Sequence, residues 1–87
     1  MVRLPADEDY ARALLSIFGA RGIRARETLR LSEAKAAFLV RNMGRLADFE
    51  AALEHATDRG WLAPPAFDRI RLTGPGADEM RSVGGRL

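Results

Sequence analysis

Residues 58–76 constrain the fold of this chain most, because signals for a helix end, a hairpin and a helix start follow one another there. Gly60 comes directly after an apolar helical pattern, and glycine suits the position just past a helix because it adopts a positive φ without a steric clash. A short strand is predicted to begin at Trp61, whose side chain we expect in the core, and Arg69–Leu72 alternates polar and apolar residues. Thr73 is a capping residue at the start of another helix. The stretch therefore predicts a helix, a β-hairpin and a helix in that order.

The alternation in the hairpin assigns its two faces. Ile70 and Leu72 share one face, which we expect to be buried, whereas Arg69 and Arg71 share the other face and point to solvent. Residues 64–68 form the predicted tip, which is short and carries no cation. The hairpin is therefore expected to pack with one face and to expose two guanidinium groups on the other.

Apolar residues at helical spacing predict three helices before the hairpin. The first follows an acidic triplet at residues 7–9, because a helix N-terminus favours carboxylates. The second runs from residue 32 or 33 to residue 42, and the third covers Arg45–Arg59. A fourth helix, capped by Thr73, is predicted to reach about Ser82.

The same spacing assigns the faces of the two middle helices. In the second helix, Phe38 lies opposite the predicted core face, together with Ala34 and Arg41. Two explanations stay open: a packing contact with the first or the last helix, or a dimer surface. In the third helix, the face away from the core is acidic and carries His55, which we expect as a solvated side chain rather than a metal ligand. The predicted core residues are Ala36, Leu39, Val40 and Met43 in the second helix and Leu46, Phe49, Leu53 and Ala56 in the third.

The segment before the second helix has two interpretations. Residues 20–27 are typical of a basic loop, and Thr28–Leu31 alternates like a short strand before Ser32 caps the second helix. A single helix over Ala25–Val40 competes with this interpretation, because the residues there tolerate helix. Residues 25–31 are therefore either strand or helix.

Length and composition limit the possible classes of protein. The chain has 87 residues, of which 47% are apolar and 30% charged, as in one small folded domain. We predict a single domain over residues 1–87, with loose ends at 1–6 and 83–87. There is no cysteine and one histidine, so neither a disulfide framework nor a thiolate or histidine-rich metal site is expected. With no apolar run of membrane-spanning length and no signal-peptide core, the chain is expected to be cytoplasmic.

The charge is unevenly distributed along the chain, although the net charge is only +2. Residues 21–45 carry seven cations and two acids, a balance of +5. Residues 46–60, which contain the third helix, carry one cation and four acids, a balance of −3. The location of the charge therefore matters more than its total.

The residues around the hairpin resemble the winged helix-turn-helix superfamily. In that superfamily a glycine and two apolar residues follow the third helix, as Gly60–Leu62 does here, and a Leu-Thr-x-x-Gly run ends the wing, as Leu72–Gly76 does here. The resemblance is strongest over residues 28–80 and looser for the first helix. It implies an α+β, mostly helical winged helix, with a three-helix core, a small β-hairpin wing and a short C-terminal helix.

The resemblance implies a binding domain, such as a transcription regulator, rather than an enzyme. Members of the superfamily place the third helix in the major groove of duplex DNA, the wing on the backbone and the second helix across the phosphates. No phosphate-binding glycine loop or catalytic motif occurs in the sequence, so no catalytic residue, cofactor or metal is expected. By the resemblance, Arg45 matches the basic start of the third helix, and Lys35, Arg41 and Asn42 match phosphate contacts. The full set of residues expected to bind DNA is Arg24, Arg26, Arg30, Lys35, Arg41, Asn42, Arg45, Arg69 and Arg71.

The acidic third helix leaves a protein partner, or a second copy of the chain, as an alternative. Carboxylates repel phosphates, and affinity for duplex DNA depends largely on cations that release counterions. Exposed arginines around the start of the third helix would favour DNA, whereas arginines paired with acids would favour a protein partner. The residues expected to bind a protein partner are Phe38, Asp48, Glu54 and His55.

Overall fold

The structure is a computed structural model that describes residues 7–41 and 44–84, without the side chains of residues 83 and 84. Within these residues the fold is α+β and mostly helical, with four helices and one small antiparallel sheet. Of the predicted loose ends at 1–6 and 83–87, residues 1–6 and 85–87 lie outside the described residues, and residues 83 and 84 form the end of the last helix. The elements in chain order are α1 (Asp7–Ala20), β1 (Thr28–Arg30), α2 (Leu31–Val40), α3 (Leu46–Asp58), β2 (Arg69–Arg71) and α4 (Gly74–Gly84).

The core lies between α1, α3 and the inner face of the sheet. From α1, Leu14, Leu15, Ile17 and Phe18 are fully buried or nearly so. They belong to one hydrophobic cluster with Ala52 and Ala56 of α3 and the apolar residues of the sheet, and α1 and α3 pack closely. None of the helices within the described ranges is long and apolar enough to cross a membrane. The other buried core residues are Ala11, Leu29, Ala34, Phe38, Phe49, Ala52, Ala56, Trp61, Leu62, Ile70, Leu72 and Ala77.

The predicted orientation of α2 is wrong. Phe38 is fully buried, and its ring packs against Phe49 of α3 and Tyr10 of α1, with ring centroids 5.5 and 6.3 Å away. Leu39 and Val40, which were expected inside, are 40% and 84% exposed. The aromatic contacts of Phe38 with Tyr10 and Phe49 favour this orientation, because ring pairs add to the stabilisation from burial. Phe38 is therefore a packing contact with the first helix, and not a dimer surface.

The core stripe of α3 is also rotated from its predicted position. Phe49 and Ala56 are buried as expected, but Leu46 is 48% exposed and Leu53 is half-buried. Ala52 takes the fully buried position instead. A small side chain there lets α1 approach α3 closely, so packing between helices decides which face turns inward.

Residues 28–30 form a strand, and the single-helix interpretation of 25–40 is wrong. β1 pairs with β2 in antiparallel register, with Leu29 opposite Ile70. α2 begins directly after β1, with Arg30 at its N-cap position and no side-chain cap. Ser32, the expected cap, instead donates its hydroxyl to the carboxylate of Asp68 at 3.2 Å. The strand pairing is therefore what fixes the start of α2.

A third extended segment, residues 62–66, lies along the other side of β2. Leu62 forms a bridge with Leu72, and Ala66 forms one with Arg69 across a two-residue turn. Pro64 and Pro65 separate the two bridges and have no N–H to donate, so the register shifts by one residue between them. The hairpin predicted over residues 61–72 is therefore present, but with an interrupted outer segment.

The end of the hairpin connects α3 to α4 as expected. Trp61 is only 5% exposed, which confirms it as a core residue, and Gly60 has a φ of 76° at the end of α3. The Thr73 hydroxyl accepts the Gly76 N–H at 3.0 Å and so caps α4. A Cβ at Gly76 would collide with the carbonyl oxygen of Trp61, so this position requires glycine. Ala77 and Met80 of α4 then pack on the core.

Candidate nucleic-acid interface

The outer face of the sheet gathers three of the predicted DNA-binding arginines. In the strand register, Arg30 lies directly opposite Arg69, and Thr28 lies opposite Arg71. Opposite residues in an antiparallel pair point to the same face, and the intervening residues of both strands are buried on the other face. We call the face formed by Thr28, Arg30, Arg69 and Arg71 the arginine face.

The arginine face is electrostatically unfavourable for the fold by itself. Opposite side chains have Cβ atoms about 5 Å apart, and like charges placed there destabilise a strand pair. Among the described residues, no carboxylate forms an ion pair with Arg30, Arg69 or Arg71. The Arg69 guanidinium donates a long hydrogen bond of 3.4 Å to the Thr28 hydroxyl. The three positive charges are therefore available to an external anion.

The acids at the margins of this face are already engaged. Glu33 forms an ion pair with Arg21 at 3.3 Å, and the Asp68 carboxylate accepts the Ser32 hydroxyl. Two shallow grooves of about 330 and 320 Å³ flank the face, and both are lined by Thr28 and Arg69. Both grooves are open to solvent.

Two further predicted cations lie in the loop before β1. Arg24 and Arg26 are exposed and form no ion pair within the described part of the chain. The loop is held by backbone contacts: the Arg24 N–H donates to Glu27 Oε1 at 2.7 Å, and the Arg26 N–H donates to the Leu72 carbonyl at 2.7 Å. Arg26 adopts a φ of 75° to make this contact. The loop is therefore tied to the sheet that carries the arginine face.

The remaining predicted cations lie on α2 and at the turn to α3. Lys35, Arg41 and Arg45 are exposed, and none of them forms an ion pair within residues 7–41 and 44–84. Arg45 is the N-cap residue of α3, and its N–H donates to the carboxylate of Asp48 at 2.8 Å. Asn42 lies outside the described residues. All eight described cations of the predicted DNA surface are thus exposed and unpaired.

The ion pairs in the described chain are made by other arginines. They are Arg12, Arg21, Arg59 and Arg81, none of which was predicted to contact DNA. Glu8 on α1 is the centre of the largest group, because it lies 3.4 Å from both Arg12 and Arg59. Pairing within the fold and the predicted DNA surface therefore involve separate sets of arginines.

The residues predicted to bind a protein partner do not come together. Phe38 is buried, and Asp48 caps the backbone of α3. His55 is half-buried rather than solvated: its Nε2 is buried without a hydrogen-bond partner, 4.0 Å from Glu8, and its ring packs edge-on against Trp61. Of the four predicted residues, Glu54 is the exposed one.

Glu54 belongs to an acidic groove on the opposite side of the hairpin segment. This groove of about 360 Å³ lies between α3 and Pro65. Pro64 and Ala66, the residues on either side of Pro65, line the groove beside the arginine face instead. The extended segment therefore separates a basic surface from an acidic one. The acidic groove is lined by Glu50, Leu53, Glu54, Thr57, Asp58 and Pro65.

Sequence reasoning missed the most exposed large apolar side chain among the described residues. Phe67 is 100% exposed at the turn between residues 66 and 69. The turn has no Asn-Gly or Asp-Gly pair, which is the usual sequence signal for two residues with positive φ. Phe67 lies within the tip predicted at residues 64–68, and this position was the available signal for an exposed side chain.

No protein-family model, curated protein or solved structure matches the chain. Within the described residues there is also no group of three or more side chains that could hold a metal ion.

Proposed function

We propose that this chain is a winged-helix domain that binds duplex DNA, as transcription regulators of that superfamily do. The order of elements supports this proposal, because α1, β1, α2 and α3 are followed by a hairpin and a final helix. In this proposal α2 and α3 are the helix-turn-helix and residues 61–72 are the wing. The domain binds and has no catalytic role.

The observation that carries the proposal is the placement of Arg30 opposite Arg69. Two unpaired guanidinium groups on adjacent strands repel each other, and Arg71 adds a third charge on the same face. Phosphates spaced along a nucleic-acid backbone would relieve this repulsion, and guanidinium groups bind phosphate with two parallel hydrogen bonds. The arrangement is costly for the free domain and favourable in a complex with a polyanion.

The acidic groove determines how DNA docks in this proposal. Insertion of α3 into a major groove would bring Glu50, Glu54 and Asp58 towards phosphates. We therefore place the duplex against the arginine face, the loop before β1 and the first turn of α3. Contacts of this kind are mainly to the phosphate backbone of the DNA. Binding should therefore show little preference for base sequence, and the affinity should fall steeply with salt concentration.

The test is a salt titration of binding to a fluorescent duplex, measured by anisotropy. Arg69→Gln and Arg71→Gln should each lower the affinity and flatten the slope of log K against log salt by about 0.9 per lost phosphate contact. Arg81→Gln is the matched control, because Arg81 is exposed but paired with Asp78 on α4. Absence of binding at low salt by the folded wild type would refute the proposal.

A second candidate function is favoured by the acidic groove itself. Glu50, Glu54 and Asp58 line it together with the half-buried Leu53 and with Pro65, which suits a basic and partly apolar segment of a protein partner. Glu54→Gln separates the two functions. It should leave DNA binding intact or strengthen it, whereas it should weaken binding of a basic protein segment.

A further inference from the structure

Phe67 occupies a position that neither the core nor the turn explains. Its side chain is 100% exposed, whereas the three other phenylalanines of the chain are buried. Its φ is 52° and that of Asp68 is 59°, so both central residues of the turn are in the left-handed region. That region favours glycine and asparagine, and a bulky apolar residue is uncommon there. An aromatic residue at this position strains the backbone and gains no stabilisation from burial.

The backbone of the turn that carries Phe67 is held by hydrogen bonds. Ala66 and Arg69 exchange two backbone hydrogen bonds of 3.0 and 2.9 Å across the turn. The carbonyl of Asp68 accepts the Leu31 N–H at 2.9 Å, which ties the turn to the start of α2. The ring is therefore carried on an anchored turn.

The ring adjoins the arginine face. Phe67, Arg69 and Arg71 line the same shallow groove of about 330 Å³. An aromatic ring beside guanidinium groups matches the two parts of a nucleotide, because the ring can stack on a base while the guanidinium binds the phosphate. In a continuous duplex the faces of the bases are covered by their neighbours, so a ring finds a free base face where the duplex ends, opens or kinks.

We propose that Phe67 stacks on the exposed base at a junction between duplex and single-stranded DNA, so that the domain prefers such junctions to closed duplex. This inference depends on the proposed DNA binding and adds the type of DNA structure that the site selects. The arginine face holds the duplex backbone, and the ring covers the last base pair. The preference comes from stacking, so it should be insensitive to base sequence.

The experiment compares two DNA probes of the same duplex sequence. One is closed at both ends by non-nucleotide linkers, and the other opens at one end into two single-stranded arms. Wild-type protein should bind the forked probe about tenfold more tightly than the closed one. Phe67→Asn, which suits a positive φ, should keep the affinity for the closed duplex and lose most of this preference. Phe67→Tyr retains a ring and should retain the preference.

A second readout reports on stacking directly. With 2-aminopurine as the last paired base of the fork, wild type and Phe67→Tyr should change its fluorescence, and Phe67→Asn should not. An unchanged preference in Phe67→Asn would overturn the inference while leaving the proposed function in place. Equal weakening on both probes would also overturn it, since the ring would then contact intact duplex. Failure of wild type to bind either probe would refute the proposed function, and the inference with it.

Discussion

The arginine face and the acidic groove lie on opposite sides of the same extended segment, and both concentrate charge of one sign. On the arginine face, Arg30 and Arg69 are opposite each other on adjacent strands. In the acidic groove, Glu50, Glu54 and Asp58 follow at intervals of four along α3, where like charges also repel. Within the described residues the two sets do not pair with each other.

The two surfaces differ in the sign of their charge, and the net charge of the chain does not reveal this difference. A total of +2 would suggest a weak electrostatic field, yet the chain keeps a basic and an acidic surface apart. Asp58 is the last residue of α3, where the helix dipole disfavours a carboxylate, and the arginines are on a sheet without such a dipole. Both surfaces lower stability, which favours a role in binding. Their opposite signs give a bound polyanion one orientation.

The largest expected effect concerns Trp61, which lies between α3 and the hairpin. It therefore fixes the position of the acidic groove relative to the arginine face. Its ring is 95% buried and packs against His55 and under the Arg59 guanidinium, whose carbon is 5.2 Å from the ring centroid. Trp61→Ala should lower the free energy of unfolding by about 3–5 kcal/mol. Urea denaturation followed by circular dichroism measures this. A loss below about 1 kcal/mol would show that the ring does not hold the two surfaces together.

Gly76 of α4 also contacts the backbone of Trp61, so a substitution there tests the same contact between α4 and the hairpin. Gly76→Ala should lower the free energy of unfolding by about 1–3 kcal/mol, because its Cβ would meet the backbone carbonyl of Trp61, which cannot move independently. Gly74→Ala is the matched control in the same helix, because nothing lies within 4 Å of a Cβ there. Thermal unfolding of both variants provides the comparison. Equal stability of the two would contradict the close approach of α4 to the hairpin.

Local signals made the ends of most elements predictable. Gly60 and Thr73 are recognisable from residue type, because a positive φ and a side-chain cap each depend on a few adjacent residues. The orientation of α2 was not predictable in this way. Its apolar residues lie on both faces, so the periodicity allowed either Phe38 or Leu39 and Val40 to face inward. Packing against Tyr10 and Phe49 decided between them.

The candidate site was predictable in composition but not in arrangement. Alternation showed that Arg69 and Arg71 would be exposed, and their exposure is confirmed. That Arg30 lies opposite Arg69 depends on pairing between strands distant in sequence, and no local pattern specifies that register. Asp48 was expected to contact a protein partner. Its carboxylate instead accepts the Arg45 N–H and caps the start of α3.

Two substitutions in α3 distinguish the carboxylate that caps the helix from one that does not. Asp48→Ala should lower the free energy of unfolding by about 0.5–2 kcal/mol, because the Arg45 N–H loses its acceptor at the start of α3. Glu54→Ala is the control, and as an exposed carboxylate outside any ion pair in the described chain it should change stability by less than about 0.5 kcal/mol. Chemical denaturation of both variants tests the difference. Similar losses would mean that Asp48 does not act as a cap.

The smallest expected effect isolates the repulsion on the arginine face. Arg69→Thr and Arg71→Thr make the same substitution on the same strand and face, but Arg69 lies opposite Arg30 and Arg71 lies opposite Thr28. Relief of the opposed charges should make Arg69→Thr more stable than Arg71→Thr by about 0.2–1 kcal/mol. Added salt should shrink this difference, because it screens exposed charges. Both variants should bind duplex DNA more weakly than wild type, since each removes a phosphate contact. If Arg69→Thr is more stable than Arg71→Thr and binds DNA more weakly than wild type, Arg69 serves binding rather than folding. Equal stability of the two variants at low salt would show that the opposed charges do not destabilise the sheet.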